Sequence, residues 1–210
     1  FLTEQRLFTL PVESAVVIGD GFACMATLLL ATGFAKRVFL VNLTKTLIVD
    51  LVYFEKWART TKAMQFAVAT DKPGLVQAAR SGFDLVGLQA SNQNLISALK
   101  AKVVINIASM QEMNQEIIAR YFKGMRAMKS IPAPYFYCCN RLEKKLPDGK
   151  LIRFVDYPWS PSDKVLTDEP CPWHQKFYTL RPPFYHPYNG VHWHRLVQLN
   201  PGGSLQRTEK

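Results

Sequence analysis

Apolar and polar residues follow two alternating patterns along the first two thirds of the chain. Short apolar runs typical of buried strands are separated by longer stretches in which apolar residues recur every three or four positions, as in helices. The predicted strands are Ser14–Ile18, Arg37–Val41, Phe83–Gln89, Lys102–Ile107 and Pro134–Cys139. The predicted helices are Phe22–Ala31, Thr44–Ala58, Gln93–Leu99 and Asn114–Met128, the last capped by Asn114. This alternation predicts an α/β fold with a doubly wound, mainly parallel, Rossmann-like sheet.

The pattern changes after Asn140. Prolines and aromatic residues become frequent, and the helical periodicity disappears. We expect an irregular Pro/aromatic-rich part that ends in an antiparallel edge strand at Trp193–Leu199. The predicted organisation is a single domain over residues 1–200, followed by a flexible tail at 201–210. Because the chain begins with Phe1 and lacks a signal pattern, we expect its native N-terminal segment to be missing.

The overall charge favours anionic partners without indicating a fold. The formal net charge is +10, and the basic residues are scattered, with mild clusters at 120–129 and 141–153. No run of like charge resembles a nucleic-acid-binding arm. No segment is apolar for long enough to cross a membrane. The four cysteines form no Cys-x-x-Cys motif, which favours reduced thiols and a cytoplasmic location.

A glycine loop, Gly19-Asp20-Gly21, joins the first strand to the first helix. In sheets of this type, ligands bind at the carboxyl ends of the strands, so this loop is a candidate cofactor site. Asp20 would repel a pyrophosphate, whereas S-adenosylmethionine has no phosphate and carries two cationic groups. Electrostatics therefore favours S-adenosylmethionine over NAD, although an ordinary strand-to-helix turn stays open as an alternative.

Three further segments resemble a known family. They are INIASMQEMNQEIIARYF (105–122), YFYCCNR (135–141) and CPWHQKFYTLRPPFY (171–185). With the glycine loop, they resemble class I S-adenosylmethionine-dependent methyltransferases, and more specifically the sugar O-methyltransferase family. The resemblance implies methyl transfer to a hydroxyl group of a sugar that is free, nucleotide-linked or already attached to an aglycone. Val17, Ala23 and Asn42 depart from the acidic, glycine and acidic residues that are common in class I enzymes.

The resemblance also assigns roles to residues at the ends of the strands. We expect the cofactor to be bound by Gly19, Asp20, Gly21, Phe22, Asn42, Leu43, Gln89, Ser91, Asn92, Asn106 and Ser109. Transfer to an alcohol requires a base, and His174 is the first candidate, with Glu112 orienting it or acting as the base itself. The candidates for the acceptor pocket are Asp156, Tyr157 and Trp173. His186, His192 and His194 are considered as metal ligands, but we predict no metal site.

Other functions remain in competition with this one. A non-catalytic interaction domain with the same fold is compatible with the three departures. A nucleic-acid methyltransferase suits the basic charge, but the Asn/Asp/Ser-Pro-Pro-Tyr/Phe loop of amino-directed enzymes is missing after the fourth strand. The similar string Arg181–Phe184 lies far downstream, which disfavours nucleic acid as a partner. A nucleotide-dependent oxidoreductase or epimerase is disfavoured by Asp20 and by the lack of a helical Tyr-x-x-x-Lys pair.

Overall fold

The computed structural model describes residues 1–61 and 64–202. The strands are β1 Ala15–Ile18, β2 Val38–Asn42, β3 Phe66–Ala69, β4 Leu85–Gln89, β5 Val103–Ile107, β6 Tyr135–Arg141, β7 Glu143–Lys145, β8 Leu151–Arg153, β9 Lys164–Pro170, β10 Lys176–Tyr178, β11 Tyr185–Pro187 and β12 His192–Gln198. Eight of them form one sheet in the order β3-β4-β2-β1-β5-β6-β12-β9. The first six in this order are parallel, and the last two join antiparallel. β7 pairs with β8 and β10 with β11 in two separate hairpins.

Helices cover both faces of this sheet. They are α1 Cys24–Ala31, α2 Thr44–Thr61, α3 Lys72–Arg80 and α4 Gln115–Arg126. α1 and α2 share a core with the residues of β1 that point to one face, Ala15 and Val17. α3, α4 and a 3₁₀ segment at Ala90–Ala98 share a second core with Val16 and Ile18 on the other face. β1 is apolar throughout because each of its residues is buried against one of these two layers.

The connectivity places a switch point beside β1. The chain moves from β1 to β2 on one side and later returns to β5 on the other. Loops that leave the carboxyl ends of such neighbouring strands diverge and open a crevice between them, where ligands bind in open α/β sheets. The Gly19–Gly21 loop and the loop after Ile107 are the two loops at this point.

The predicted doubly wound, mainly parallel sheet is confirmed, and each predicted strand and helix overlaps an observed element. Two segments form a different type of helix from the one predicted. A 3₁₀ turn at Gly21–Ala23 precedes α1, and the predicted short helix at 93–99 is the 3₁₀ segment Ala90–Ala98. Asn114 caps α4 as predicted, since its side chain accepts the Ile117 N–H at 3.0 Å.

Some elements were not predicted from the pattern. They are β3, α3 and β9, together with the two small hairpins. β12 is antiparallel as predicted, but β9 covers its outer side and forms the edge of the sheet. β9 is a largely exposed strand, so its sequence lacks the continuous apolar run that marks a central strand, whereas β3 is an apolar run of only four residues at the opposite edge of the sheet.

Other expectations concern the termini, the cysteines and membrane insertion. Of the predicted tail, only Pro201 and Gly202 belong to the described residues, where they form a turn. All four cysteines are free thiols, and Cys24 alone among them is exposed. Within residues 1–61 and 64–202, no helix has the length and apolarity needed to cross a membrane.

Candidate functional site

The two glycines of the loop differ in whether the fold leaves room for a side chain at their position. Gly19 has a φ of +68°, and a Cβ built there would lie 2.1 Å from the Ser109 Oγ. A side chain at this position would therefore separate the loops that follow β1 and β5. Gly21 has no such constraint, because an added Cβ would meet no atom within 4 Å. The space above Gly21 is open at the carboxyl edge of the sheet, where a ligand can approach the backbone.

Two carboxylates occupy the amino end of α1. The side-chain oxygens of Asp20 accept the N–H groups of Met25 at 3.0 Å and Ala26 at 2.7 Å. Asp50, a fully buried residue of α2, accepts the Ala23 N–H at 3.1 Å. Burial raises the pKa of Asp20 to about 6, with a smaller contribution from the negative charge of Asp50. Burial likewise raises the pKa of Asp50.

These carboxylates decide which ligand the loop can accept. A helix amino end binds phosphate through free N–H groups and the positive end of the helix dipole. Here carboxylates already hold three of these N–H groups, and their charge repels a further anion. The geometry therefore disfavours a dinucleotide pyrophosphate and is compatible with a cationic ligand.

Asn42 is also engaged within the fold. Its amide nitrogen donates to the Asp50 carboxylate at 2.8 Å and to the Asp20 carbonyl at 3.0 Å. Its side-chain oxygen accepts the Leu43 N–H at 2.9 Å. Both amide hydrogens are thus used, which leaves only the oxygen with capacity to accept a hydrogen bond from a ribose hydroxyl. Leu43 and Phe22 are 67% and 55% exposed and present apolar surface at this edge of the sheet.

The residues after β4 lie at the same edge. Gln89 ends β4 and is half-buried, and Ser91 is exposed. Asn92 donates to the carbonyl of Thr70 at 2.8 Å, so it connects the 3₁₀ segment to the loop between β3 and α3. Among the cofactor ligands predicted after β4, Ser91 therefore has an exposed hydroxyl, while the side chain of Asn92 fixes the position of the β3–α3 loop.

A network of buried amides joins the ends of β1, β5 and β6. Asn106 donates to the Ile18 carbonyl at 2.8 Å and to Ser109 Oγ at 2.6 Å. Its oxygen accepts from Asn140 at 2.8 Å and from the Met110 N–H at 3.2 Å. Asn106 and Ser109 were predicted as cofactor ligands. The hydrogen bonds of Asn106 also join the ends of β1, β5 and β6 at the switch point.

Asn140 continues this network to the next loop. Its side-chain oxygen accepts the Gln111 N–H at 3.1 Å, and Gln111 accepts the Arg141 N–H at 2.8 Å. Sequence reasoning did not select Asn140, nor Asp50 beneath the glycine loop. The available signals were an amide at the end of the apolar run YFYCC and a single carboxylate on the apolar face of α2, between Leu47 and Phe54.

His174 and Glu112, the two predicted catalytic residues, do not form a pair. Glu112 lies 3.0 Å from Lys144 in a salt bridge. His174 instead stacks on His192, with ring centroids 4.4 Å apart and planes at 8°. Burial lowers the pKa of His174, and the positive charge of Arg141 lowers it further. A neutral imidazole at the carboxyl edge of the sheet is able to accept a proton.

The three predicted acceptor residues do not share one pocket. Tyr157 is buried with Phe122, Phe154 and Trp159 in the core next to α4. Trp173 lies on the opposite face of the sheet, where its ring is 5.1 Å from that of His194, and is 55% exposed. Asp156 is exposed. Trp173 is therefore the only one of the three on the same face as His174 and His192.

The histidines considered as metal ligands are also dispersed. His192 and His194 point to the same face of β12, as expected from their spacing, but they have separate surroundings. His194 contacts the Tyr137 hydroxyl at 3.2 Å and Glu169 at 3.4 Å. His186 stacks on Phe177 in the β10–β11 hairpin. Across residues 1–61 and 64–202, no group of three His, Cys, Asp or Glu residues is arranged to hold a metal ion.

Two large surface cavities lie away from this site. One, of about 650 Å³, is lined by the end of α2 and the start of β3, and the other, of about 630 Å³, by residues around Val12 and Lys100. Both are at the amino edge of the sheet. We place the candidate site at the opposite edge, because ligand-binding loops in this architecture leave the carboxyl ends of the strands.

The fold is shared with several solved structures, some of which are described as methyltransferases. A structure reported with the conversion of a disulfide bond into a thioacetal group during echinomycin biosynthesis matches with a TM-score of 0.58 and 12% identity, over 97% of this chain and 80% of that chain. A proposed methyltransferase of Bacillus halodurans matches with a TM-score of 0.55 and 9% identity, over 95% and 97% of the two chains. A TehB-like SAM-dependent methyltransferase of Corynebacterium glutamicum matches with a TM-score of 0.52 and 8% identity, over 93% and 84%.

These similarities define the class of fold. The chain has a Rossmann-like methyltransferase fold, which agrees with the doubly wound, mainly parallel sheet predicted from the sequence. Some other similar structures are longer, and the chain spans 54% and 66% of two of them. No protein-family model and no curated protein sequence matches the chain.

Proposed function

We propose that the protein transfers a methyl group from S-adenosylmethionine to a hydroxyl group of a sugar. The observation that carries this proposal is the open space above Gly21 at the switch point of a methyltransferase fold, over two buried carboxylates. The resemblance of residues 105–122, 135–141 and 171–185 to sugar O-methyltransferases supports the sugar as acceptor.

The residues around the loop fit this cofactor in charge and shape. Asp20 and Asp50 give the loop a negative potential that attracts an ammonium or sulfonium group, although their oxygens bond to the backbone. Gly21 permits close approach of the ligand, and the oxygen of Asn42 accepts a hydrogen bond from the ribose. Exposed Leu43 and Phe22 supply apolar contact for the adenine. When bound, S-adenosylmethionine supplies an activated methyl group.

His174 is the proposed base. Its neutral imidazole would accept the proton of the sugar hydroxyl, and bound S-adenosylmethionine would supply the methyl group that replaces this proton on the oxygen. The polar network from Asn106 to Arg141 positions the loops on which acceptor and donor meet. Trp173, exposed on the same face as His174, offers an aromatic surface for the sugar ring.

The test is a methyl-transfer assay with labelled S-adenosylmethionine and a panel of free sugars, sugar phosphates and nucleotide-linked sugars. We expect transfer to at least one of them. His174→Gln should lower kcat by about 10²-fold or more, as expected for loss of a general base, while S-adenosylhomocysteine binds with unchanged affinity in calorimetry. The control His186→Gln removes a histidine outside the site and should keep wild-type kcat.

A second variant separates the cofactor site from folding. Gly21→Val places its side chain in open space, so the melting temperature should stay near the wild-type value while the affinity for S-adenosylhomocysteine falls at least tenfold. Wild-type affinity in this variant would remove Gly21 from the cofactor site. Failure of the wild-type chain to bind S-adenosylmethionine would favour the non-catalytic interaction domain.

A further inference from the structure

Arg141 ends β6 beside the candidate site and carries an uncompensated charge. Its guanidinium lies over the ring of Tyr188, 5.6 Å from the centroid, and its Nε is buried without a hydrogen-bond partner. In the part of the chain that the structure describes, no carboxylate oxygen lies within 4 Å of a nitrogen of this side chain. A partly buried guanidinium with no anionic partner is costly, because neither water nor a counter-charge fully replaces its solvation.

His192 is the neighbour of Arg141 across the β6–β12 pair. Like Arg141, it has one buried polar atom without a hydrogen-bond partner. Its side chain is 1% exposed, and its Nδ1 is buried without a partner. His174 covers one face of its ring, and the ring of Tyr188 lies 4.7 Å away. Gln175 fixes this arrangement by donating to the carbonyl oxygens of Cys171 at 2.6 Å and His192 at 2.8 Å.

Arg141 gives this cluster its positive charge. Burial lowers the pKa of His192 to about 4, and repulsion from Arg141 and from the protonated form of His174 lowers it further. The groups that face the cluster are Arg141 from β6, His174 from the segment before β10, and Tyr188 from the turn before β12. Glu112, beside the Gln111 that binds the Arg141 backbone, is already paired with Lys144. Among residues 1–61 and 64–202, the cluster thus holds unused polar atoms on Arg141 and His192 and no acidic group.

We propose that Arg141 and His192 bind a phosphoryl group of the acceptor, as in a sugar phosphate or a nucleotide-linked sugar. This inference rests on the proposed function, because it defines the acceptor of that same site. A guanidinium binds two phosphate oxygens through paired N–H groups, and a histidine adds a further N–H donor. Gln111 connects Arg141 to the loops at Asn106 and Ser109, so an acceptor held here lies at the edge where the methyl donor is expected.

The first experiment measures anion binding to the full chain without any methyl donor. Inorganic phosphate and pyrophosphate are titrated by calorimetry in two buffers that differ in ionisation enthalpy, and the histidine C–H resonances are followed by NMR. We expect saturable binding of pyrophosphate, shifts of the His192 resonances, and uptake of protons, since a bound anion raises the pKa of the His192 ring.

Matched variants test the residue assignment. Arg141→Gln should weaken pyrophosphate binding at least tenfold with little change in the melting temperature, because the guanidinium lies over the Tyr188 ring but pairs with no carboxylate among the described residues. The control Arg153→Gln removes the same charge from an exposed pair with Glu143 and should keep the affinity. Equal losses in the two variants, or no response of His192 to pyrophosphate, would overturn the inference.

The acceptor assay distinguishes this inference from the proposed function. A preference for a sugar 1-phosphate identifies the phosphoryl group as a monoester, and a preference for a nucleotide-linked sugar identifies it as a diphosphate. In either case Arg141→Gln should abolish the preference. Efficient transfer to neutral sugars that is unaffected by Arg141→Gln would refute the phosphoryl site and leave methyl transfer standing. Pyrophosphate binding at Arg141 without any methyl transfer would support the site and refute the proposed reaction.

Discussion

At the scale of the residue, Asp20 combines a structural task with an electrostatic one. It is buried under the glycine loop, where two backbone N–H groups compensate part of the cost of desolvating its carboxylate. The compensation is incomplete, since burial still raises its pKa from 3.8 to about 6. A second carboxylate, Asp50, lies close enough to add to this effect. Asp20 is therefore strained electrostatically in a way that a bound cation would relieve.

This strain predicts a dependence of stability on pH. Between pH 3.8 and about 6 the folded protein binds a proton at Asp20 more strongly than the unfolded chain does. The stabilisation from protonated Asp20 is fully present below pH 3.8 and is lost as the pH rises through about 6. Asp20→Asn lacks this titration, so its deficit in free energy of unfolding relative to wild type should shrink by about 1–3 kcal/mol between pH 4.5 and 7.5.

Urea unfolding of the two proteins at both pH values measures this difference. Asp156→Asn removes an exposed carboxylate and controls for the change in net charge. A deficit of Asp20→Asn that is the same at both pH values would contradict the raised pKa of Asp20.

At the scale of the element, α4 and the C-terminal strands are joined by one buried ion pair. Arg126 near the end of α4 binds Asp163 through both guanidinium Nη atoms, the Nη2 contact being 2.7 Å, and the side chains are 9% and 1% exposed. Arg126 also donates to the carbonyls of Pro158 and Asn200. Burial raises the pKa of Asp163, but the hydrogen bonds from Arg126, Asn200 and Ser160 outweigh it, so the pKa is below its usual value.

Loss of this buried ion pair should strongly destabilise the folded protein. Arg126→Ala leaves the Asp163 carboxylate buried without its charged partner, and we expect the free energy of unfolding to fall by about 3–5 kcal/mol. Arg59→Ala breaks an exposed pair with Glu55 on α2 and should cost at most about 1 kcal/mol. Denaturant unfolding measures both variants, and similar costs for the two would show that burial of the Arg126 pair does not matter.

Elements also differ in how far the sequence predicts them. β1, β2 and β5 are covered on both faces, so all their positions except Asn42 and Asn106 are apolar, and the run itself identifies a strand. β3 and β9 are the edge strands of the sheet, and each pairs with only one neighbour, which lies in another segment of the chain. α3 begins with Lys-Pro-Gly, which weakens the local helical pattern, and its Asp71 cap becomes evident only in the folded structure.

At the scale of the whole molecule, binding and folding are linked through the switch point. The cofactor residues come from loops that meet only when β1, β2 and β5 are assembled, so S-adenosylhomocysteine should bind the folded chain and not the unfolded one. At 100 times its Kd it should raise the free energy of unfolding by about 2.7 kcal/mol. Chemical denaturation with and without the ligand measures this. The same concentration of NAD should have no effect, and stabilisation by NAD would contradict the electrostatic argument from Asp20 and Asp50.

The sequence by itself determined the layered α/β architecture and the position of the glycine loop. Both are local properties, because apolar periodicity and the backbone freedom of Gly19 and Gly21 depend only on residues that are close together in the chain. Only the tertiary structure decided what the polar residues of the site do. Asp20 and Asn42 face partners in the fold, Tyr157 and Trp173 lie on opposite faces, and Arg141, His174 and His192 come together from three segments. The direction of a side chain and its partners depend on strands that are far apart in the chain, so a local sequence pattern does not predict them.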